Sequence, residues 1–178
     1  RDLIGKSLHT NIKGVHTAGI ITETEAYNGI LDKACHAFGD RRTKRTESMY
    51  LSGGVAYVYL CYGIHALFNI VTGPENTPTA ILIRSIEPTL GLDHMLKRRH
   101  RNKTDQSLCS GPGNLTKALG IELEHDTISL SGPEIFIKDP INSNKHFNIT
   151  STPRIGVDYA GDDAKLAYRF ILNYIKPY

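Results

Sequence analysis

The chain has 178 residues, 40% of them apolar and 22% charged, and it carries a net charge of +3. Because the sequence contains no low-complexity tract and no repeat, it does not resemble a disordered or solenoid protein. Three cysteines without a C-x-x-C pair argue against a disulfide framework and a zinc knuckle. The longest apolar stretch, residues 55–71, is interrupted by polar residues and does not predict a membrane span. We therefore expect a single domain over residues 1–178.

Charge is unevenly distributed along the chain. Residues 33–117 hold 12 Lys and Arg against 6 Asp and Glu, whereas residues 120–163 hold 3 against 8. The basic excess lies in two runs, residues 41–45 and 97–103. Such runs suit a polyanion that is bound through its phosphates, and they are equally compatible with a solvated helix face or loop.

The first long element is a predicted strand over residues 14–27, which is rich in Ile, Thr and Val and ends at Asn28-Gly29. Glu23, Glu25 and Tyr27 then share one face of this strand, at successive spacings of about 6.6 Å. Two carboxylates and an aromatic ring are thereby brought to one side of the sheet.

The rest of the chain predicts many short strands and few helices. Further strands are expected over residues 55–60, 65–72, 79–86, 127–130, 134–138, 154–157 and 168–172. Short helices are expected over residues 43–50, 90–100 and 115–119. Tyr62-Gly63 marks the turn of a hairpin, and Glu87-Pro88 is expected to stop the strand that begins at residue 79. Because no regular βαβ alternation appears, we predict a mixed α/β fold of the α+β type on a largely antiparallel, curved sheet.

Taken singly, the polar and aromatic residues carry little functional information. A glutamate on a strand, such as Glu25, is usually an exposed surface group. The tyrosines at positions 27, 57, 59 and 62 are commonly core or edge aromatics, and a lone His36 is more often a satisfied loop histidine than a ligand. Only their combination points to a chemistry.

That combination resembles the alkyladenine (3-methyladenine) DNA glycosylase family over nearly the whole chain. The matching strings are, in order, Glu23-Thr24-Glu25-Ala26-Tyr27-Asn28-Gly29, Ala34-Cys35-His36, Arg41-Arg42-Thr43-Lys44-Arg45, Tyr57-Val58-Tyr59-Leu60-Cys61-Tyr62-Gly63, Asn69, Leu82-Ile83-Arg84-Ser85-Ile86-Glu87-Pro88, Cys109-Ser110-Gly111-Pro112-Gly113, and Arg154-Ile155-Gly156-Val157 with Ala160-Gly161. The length of the first and fourth strings makes a chance match improbable. The chain looks like a compact, bacterial-type member.

The resemblance implies an enzyme that acts on a purine flipped out of duplex DNA. Tyr62, at the tip of a protruding hairpin, matches the residue that wedges into the minor groove. Ile64 and His65 would lie beside the displaced base stack. The remaining DNA contacts implied by the match come from Arg41, Arg42, Thr43 and Met49, with the basic run holding phosphates.

The family sandwiches the flipped purine between a residue matching Tyr27 on one side and residues matching His36 and Tyr59 on the other. Electron-rich rings would attract a cationic alkylated base by about 0.5–2 kcal/mol, whereas neutral hypoxanthine would gain only stacking. Asn69 matches the residue that abuts the guanine 2-amino group and so penalises normal guanine.

By the same match, Glu25 activates water and stabilises an oxocarbenium-like sugar. Arg84 and the backbone carbonyl of Ile155 would hold that water, with Arg84 as an orienting group because an arginine is not a plausible base. The matched pocket offers no lysine nucleophile, so strand-nicking lyase activity is not expected. The resemblance implies neither a cofactor nor a metal.

The implied partner is double-stranded DNA containing a damaged purine, bound by a monomer that has no membrane association. The expected location is the bacterial cytoplasm beside the nucleoid, or the nucleus in a eukaryote. One departure from the family pattern is Asn114, where many relatives carry a lysine, and it would remove one phosphate contact.

Three alternatives follow from the residues. A catalytically silent DNA-binding module would keep the basic runs and the hairpin but would have no use for Glu25. A nucleosidase would need no intercalating hairpin and no basic runs. A metal-dependent hydrolase is the weakest alternative, because the eight histidines form no H-x-x-x-H pair.

Overall fold

The computed structural model, which describes residues 1–139 and 146–175, is built around one antiparallel sheet. Its strands are β1 (Ser7–Ile12), β2 (Val15–Tyr27), β3 (Ala56–Cys61), β4 (His65–Val71), β5 (Ala80–Leu90), β6 (Ile135–Lys138), β7 (Phe147–Thr152) and β8 (Arg169–Tyr174). Its α-helices are α1 (Leu92–Arg98) and α2 (Pro112–Leu119). Its 3-10 helices are Gly29–Leu31, Phe38–Asp40, Glu47–Tyr50, Leu123–His125 and Asp158–Lys165. The predicted α+β fold on an antiparallel sheet is confirmed.

The sheet is organised around β2, its longest strand. The order of the main path is β3-β4-β5-β2-β1-β6, and β8 joins β2 to β7. One edge of β2 pairs with β5 over nearly its whole length, while the other edge pairs first with β1 and then with β8. β2 thus pairs with three strands, and the sheet is curled into a half-barrel.

Irregular pairing in β2 decides which residues reach the functional face. The register against β5 shifts between Ile21 and Glu23 and again between Glu23 and Thr24. Ile21, before these shifts, lies in the main core. Glu23, between the two shifts, and Glu25, after them, both contact Arg84 of β5. Bulges of this kind re-aim side chains and are common beside active sites.

The main core lies between the sheet and the two α-helices. Phe68 and Ile83 project from the sheet, and Leu115, Leu119 and Met95 project from the helices, all with no measurable exposure. Helix α2 begins with Pro112 in its first turn, where the missing N–H costs nothing. It ends at Gly120, whose φ of 79° suits glycine. In the described part of the chain, no helix is long and apolar enough to cross a membrane.

Several predicted elements are found, and some of them have different bounds. The strands predicted at residues 14–27, 55–60, 65–72, 134–138 and 168–172 correspond to β2, β3, β4, β6 and β8. The helix predicted at 43–50 is only the 3-10 helix Glu47–Tyr50, and the helix predicted at 90–100 is the shorter α1. The expectation that Glu87-Pro88 would stop β5 is wrong. Pro88 pairs opposite Gly19, next to a register shift in β2, where an irregular ladder tolerates the missing N–H.

Two predicted strands are absent from the described residues, and two strands were missed. Residues 127–130 form a loop that contributes a single bridge, Val55 to Ser129, because Thr127 has a φ of 68° that breaks extended backbone. Residues 154–157 form a loop whose bend is at Gly156, with a φ of 73°. The missed strands, β1 and β7, are short and partly polar, although Leu8, Thr10 and Ile12 of β1 show the alternation of a half-buried strand.

The hairpin of β3 and β4 combines a fixed base with an exposed tip, which can be tested by unfolding. Phe68→Ala removes a fully buried ring and should lower the free energy of unfolding by about 3–5 kcal/mol. Tyr62→Ala removes a side chain that is 93% exposed and should change it by less than about 0.5 kcal/mol. Urea denaturation of both variants measures the difference. A large loss in Tyr62→Ala would mean that the tip is part of the core.

Candidate functional site

A cleft of about 430 Å³ opens on the face of the sheet opposite the main core, and Pro112, the first residue of α2, also lines it. Its floor comes from alternate residues of β4 and β5. Its walls come from the end of β2, from β3, from the segment around His36, and from the loop at 155–159. The predicted residues that line it are Tyr27, His36, Met49, Tyr59, Tyr62, Asn69, Arg84 and Ile155. Residues that were 128 positions apart in sequence therefore meet in one cavity.

Glu25 lies directly behind the wall of this cleft and is completely buried. Its Oε2 accepts hydrogen bonds from the Tyr27 hydroxyl at 3.0 Å and from Arg84 Nη1 at 3.2 Å. Its Oε1 accepts one from the backbone N–H of Ile155 at 2.8 Å. A buried carboxylate is tolerated only when it is paired and hydrogen-bonded, and these three donors also fix its orientation.

The carboxylate is part of a balanced group of charges. Arg84 also donates from Nε to Glu23 Oε1 at 3.0 Å, and Arg169 of β8 donates to the same oxygen at 2.6 Å. Two arginines therefore face two glutamates. Burial, and then the negative charge of Glu25, raise the pKa of the Tyr27 hydroxyl well above its usual range, so Tyr27 stays protonated as a donor.

The opposite wall consists of His36, Tyr57 and Tyr59. The ring of His36 meets that of Tyr59 edge-on, with centroids 4.7 Å apart, and the rings of Tyr57 and Tyr59 lie 5.2 Å apart. His36 Nδ1 lies 2.9 Å from the Tyr57 hydroxyl, which fixes the imidazole. Burial and the positive charges of Arg45 and Arg41 lower the pKa of His36 to about 4, so its ring is neutral at pH 7.

Asn69 lies in the floor of the cleft and is almost fully buried. Its side-chain nitrogen donates to the backbone carbonyl of Tyr57 at 3.1 Å. Because this bond crosses from β4 to the neighbouring β3, the amide is held in one orientation. A rigid polar group in an otherwise aromatic cleft is suited to discriminate between bases by their edges.

Arg154 is a residue of this region to which the sequence prediction gave no role. Its side chain is completely buried and pairs with Asp32 through both terminal nitrogens. It also donates to the backbone carbonyls of Ala26 at 2.9 Å and Asp163 at 3.1 Å, and its guanidinium lies 4.9 Å from the centroid of the Tyr27 ring. No local pattern could have revealed this pair, since its members are 122 positions apart.

The hairpin between β3 and β4 projects beside the cleft. Tyr62 is 93% exposed and Ile64 is 73% exposed, and His65 is exposed as well. Tyr62 has a φ of 51°, which places it in the tight turn that ends β3. At the base of the hairpin, α2 approaches so closely that a Cβ on Gly113 would lie 3.0 Å from that of His65. Large side chains are thereby held away from the protein on a supported turn.

The predicted DNA contacts of the first basic run divide into two groups. Arg41 and Thr43 line a second cavity of about 380 Å³, which adjoins the cleft and shares His36, Arg45 and Tyr159 with it. Arg42 instead pairs with Glu47, at 2.7 Å, and stacks on Tyr50. The side chain of Met49 is only 1% exposed and lies in the cleft wall, so it is not on the outer surface with Arg41.

The second basic run is largely used within the protein. Arg98 donates to the carbonyl of Ala118 at 3.1 Å, and Arg99 donates to that of Leu108 at 3.2 Å. Arg101 pairs with Asp105 at 2.9 Å. Among the residues that the structure describes, no group of three or more His, Cys, Asp or Glu side chains could hold a metal ion.

Comparison with known proteins identifies the family of this chain. The family model described as methylpurine-DNA glycosylase (MPG) matches residues 1–175. The chain belongs to this family. It is 52% identical over 174 residues to a protein of Chlamydia felis (strain Fe/C-56) that is provisionally named 3-methyladenine DNA glycosylase, covering 97% of this chain and 88% of the relative. A protein of Bacillus thuringiensis (strain Al Hakam) with the same provisional name is 41% identical over 179 residues, covering 96% and 87%.

Membership confirms the predicted family and the expectation of an enzyme that hydrolyses N-glycosidic bonds in DNA. DNA is therefore its partner, and DNA repair is its role. The assignments of individual residues stay predictions.

The lowered pKa of His36 has a consequence for stability. Its folded pKa of about 4 lies below the ordinary value of 6.5, so the unfolded chain binds the proton first as the pH falls. The stability contributed by His36 should be complete above pH 6.5 and be lost between about pH 6.5 and pH 4. Urea denaturation across this range, compared with His36→Gln, measures the effect. A variant that keeps the full pH dependence of the wild type would show that another group causes it.

Proposed function

We propose that the chain is a monofunctional DNA N-glycosylase of base excision repair, formed as one domain over residues 1–178. It flips alkylated or deaminated purines out of duplex DNA, such as 3-methyladenine, 7-methylguanine, hypoxanthine and ethenoadenine. It hydrolyses the glycosidic bond and leaves an abasic site. The observation that carries this proposal is the buried Glu25 carboxylate, held by three donors immediately behind an aromatic cleft.

Glu25 is suited to orient and deprotonate water. An ionised carboxylate offers about four acceptor positions, and Tyr27, Arg84 and Ile155 use three of them. DNA binding must open the fourth position to water, because Glu25 has no exposed surface and does not line the cleft. The water molecule then donates its hydrogen to Glu25 and directs its oxygen lone pair at the sugar. The negative carboxylate also stabilises the oxocarbenium-like transition state.

The bond changes balance without a cofactor. The C1′–N9 bond breaks and its electron pair goes to the purine. A cationic purine leaves as a neutral base, and a neutral purine leaves after it takes up a proton from solvent. The water oxygen bonds to C1′, and its proton goes to Glu25. Arg84 and the Ile155 N–H keep the carboxylate in place during this step. The predicted role of the Ile155 carbonyl as a second water ligand is part of the same proposal.

The flipped purine fits between the two aromatic walls. Tyr27 stacks on one face, and His36 and Tyr59 contact the other, while Asn69 opposes the 2-amino group of normal guanine. Tyr62 fills the gap that the nucleotide leaves, with Ile64 and His65 against the neighbouring bases. A hairpin tip that carries two large, exposed side chains supports this role.

Phosphates of the DNA backbone lie along the second cavity. Arg41, Thr43 and Arg45 line it together with Lys33, and none of the described carboxylates lines it. Arg42, which is paired with Glu47, contributes less to this grip. We propose that the protein acts as a monomer, since one lesion site offers no two-fold symmetry to a dimer. We propose that it acts on chromosomal DNA in the bacterial cytoplasm.

The test of the catalytic base compares Glu25→Gln with Glu23→Gln. Both substitutions remove one charge from the same group of ion pairs, but only Glu25 lies behind the cleft. Glu25→Gln should slow base release from a duplex containing hypoxanthine by roughly 100- to 10,000-fold, without loss of lesion binding. Glu23→Gln should cause a much smaller loss. Single-turnover release and equilibrium binding measure both.

Equal losses in the two variants would assign the effect to the ion-pair group and not to a base at Glu25. Lesion binding by the wild type without release of any purine would favour the catalytically silent DNA-binding module.

The test of base flipping compares duplex and single-stranded substrates. Tyr62→Ala should slow release from duplex DNA far more than release from single strands, because only a duplex needs a residue that fills the vacated stack. Tyr62→Phe keeps the ring and should behave like the wild type. If Tyr62→Ala slows both substrates to the same extent, Tyr62 acts elsewhere than in flipping.

A further inference from the structure

Both aromatic walls of the cleft already carry a positive charge. The guanidinium of Arg154 lies 4.9 Å from the centroid of the Tyr27 ring, and that of Arg45 lies 4.6 Å from the centroid of the Tyr59 ring. The attraction of a ring for a cation comes from its electron-rich π face. A ring that already interacts with a guanidinium attracts a second cation less strongly.

The two guanidinium groups differ in how they are neutralised. Arg154 is completely buried and faces Asp32, and it is absent from the lining of the cleft, so its charge acts mainly on the ring of Tyr27 from behind. Arg45 is exposed, lines the cleft itself, and pairs with no carboxylate in the part of the chain that the structure describes. Its charge is therefore directed into the cleft without a local counter-ion.

The other charges near the cleft do not cancel that of Arg45. Glu23 and Glu25 are matched by Arg84 and Arg169, and Asp32 is matched by Arg154. The pKa of His36, on the same wall as Tyr59, is lowered by burial and then by Arg45 and Arg41. These arginines thus already oppose the addition of a proton to a ring in this wall.

We propose that Arg45 is a specificity-determining residue that favours neutral damaged purines over permanently cationic ones. This inference rests on the proposed glycosylase function. Hypoxanthine and ethenoadenine stack between the rings without an electrostatic penalty, whereas a base with a fixed positive charge, such as 7-methylguanine, is repelled by Arg45. The direction is opposite to that expected from the aromatic residues alone.

The proposal is tested by the ratio of two rates in each variant. A cationic purine leaves more readily than a neutral one, so the absolute ratio reports bond strength as well as recognition. The change in this ratio between variants isolates the effect of the side chain. The measurement is single-turnover efficiency on otherwise identical duplexes that contain one 7-methylguanine or one hypoxanthine.

Arg45→Gln should raise the ratio of 7-methylguanine to hypoxanthine release by about 3- to 10-fold, which lies within the range of a cation–π contact. Arg45→Lys keeps the charge and should leave the ratio closer to that of the wild type. Arg42→Gln is the matched control, because Arg42 lies in the same loop and stacks at the same 4.6 Å, but on Tyr50, which does not line the cleft. It should weaken both reactions in equal proportion.

An unchanged ratio in Arg45→Gln, with both reactions slowed alike, would overturn the proposal and leave Arg45 as a phosphate contact only. An equal rise of the ratio in Arg42→Gln would overturn it too, since the effect would then come from overall charge. Release of neither base by the wild type is a different failure. It would overturn the proposed function and this inference with it.

Discussion

The buried ion pair of Arg154 and Asp32 is the interaction on which the site depends. Moving two charges out of water costs several kcal/mol per ion unless their remaining donors and acceptors are satisfied. Arg154 donates to two backbone carbonyls besides Asp32, and among the described residues only its buried Nε finds no acceptor. Asp32 accepts the backbone N–H groups of Asn28 and Ala34. The pair thereby joins the end of β2, the segment that leads to His36, and the loop that begins at residue 155.

This junction explains how the Glu25 carboxylate can be buried and still be held in one orientation. Glu25 receives one of its three hydrogen bonds from Ile155, the residue that follows Arg154, and another from Tyr27, whose ring lies against Arg154. If either partner of the ion pair were removed, the uncompensated charge would cost about 3–5 kcal/mol, and two of the contacts of Glu25 would lose their support. Stability and orientation at the site therefore have one physical origin.

The sequence predicted the central strand, the hairpin and most of the residues around the cleft, because alternation and turn residues are local signals and the long strings matched a family. It did not predict features that depend on contacts between distant segments. A register shift in β2 separates Ile21 from Glu23, although simple alternation would place both side chains on one face of the strand. The pairing of Arg154 with Asp32 and the stacking of Arg45 on Tyr59 leave no periodic trace.

The two basic runs show why local charge alone is a poor guide to a nucleic-acid surface. In the second run, two arginines donate hydrogen bonds to backbone carbonyls and a third pairs with a neighbouring aspartate. These contacts hold α1 and the loop after it in place. In the first run, Arg45 lines both the cleft and the cavity that adjoins it, and Arg41 lines that cavity. A positive charge at that position attracts every phosphate, whatever the lesion, but it repels a cationic base. The side chain of Arg45 can thus strengthen DNA binding in general while it disfavours the entry of a cationic base into the cleft.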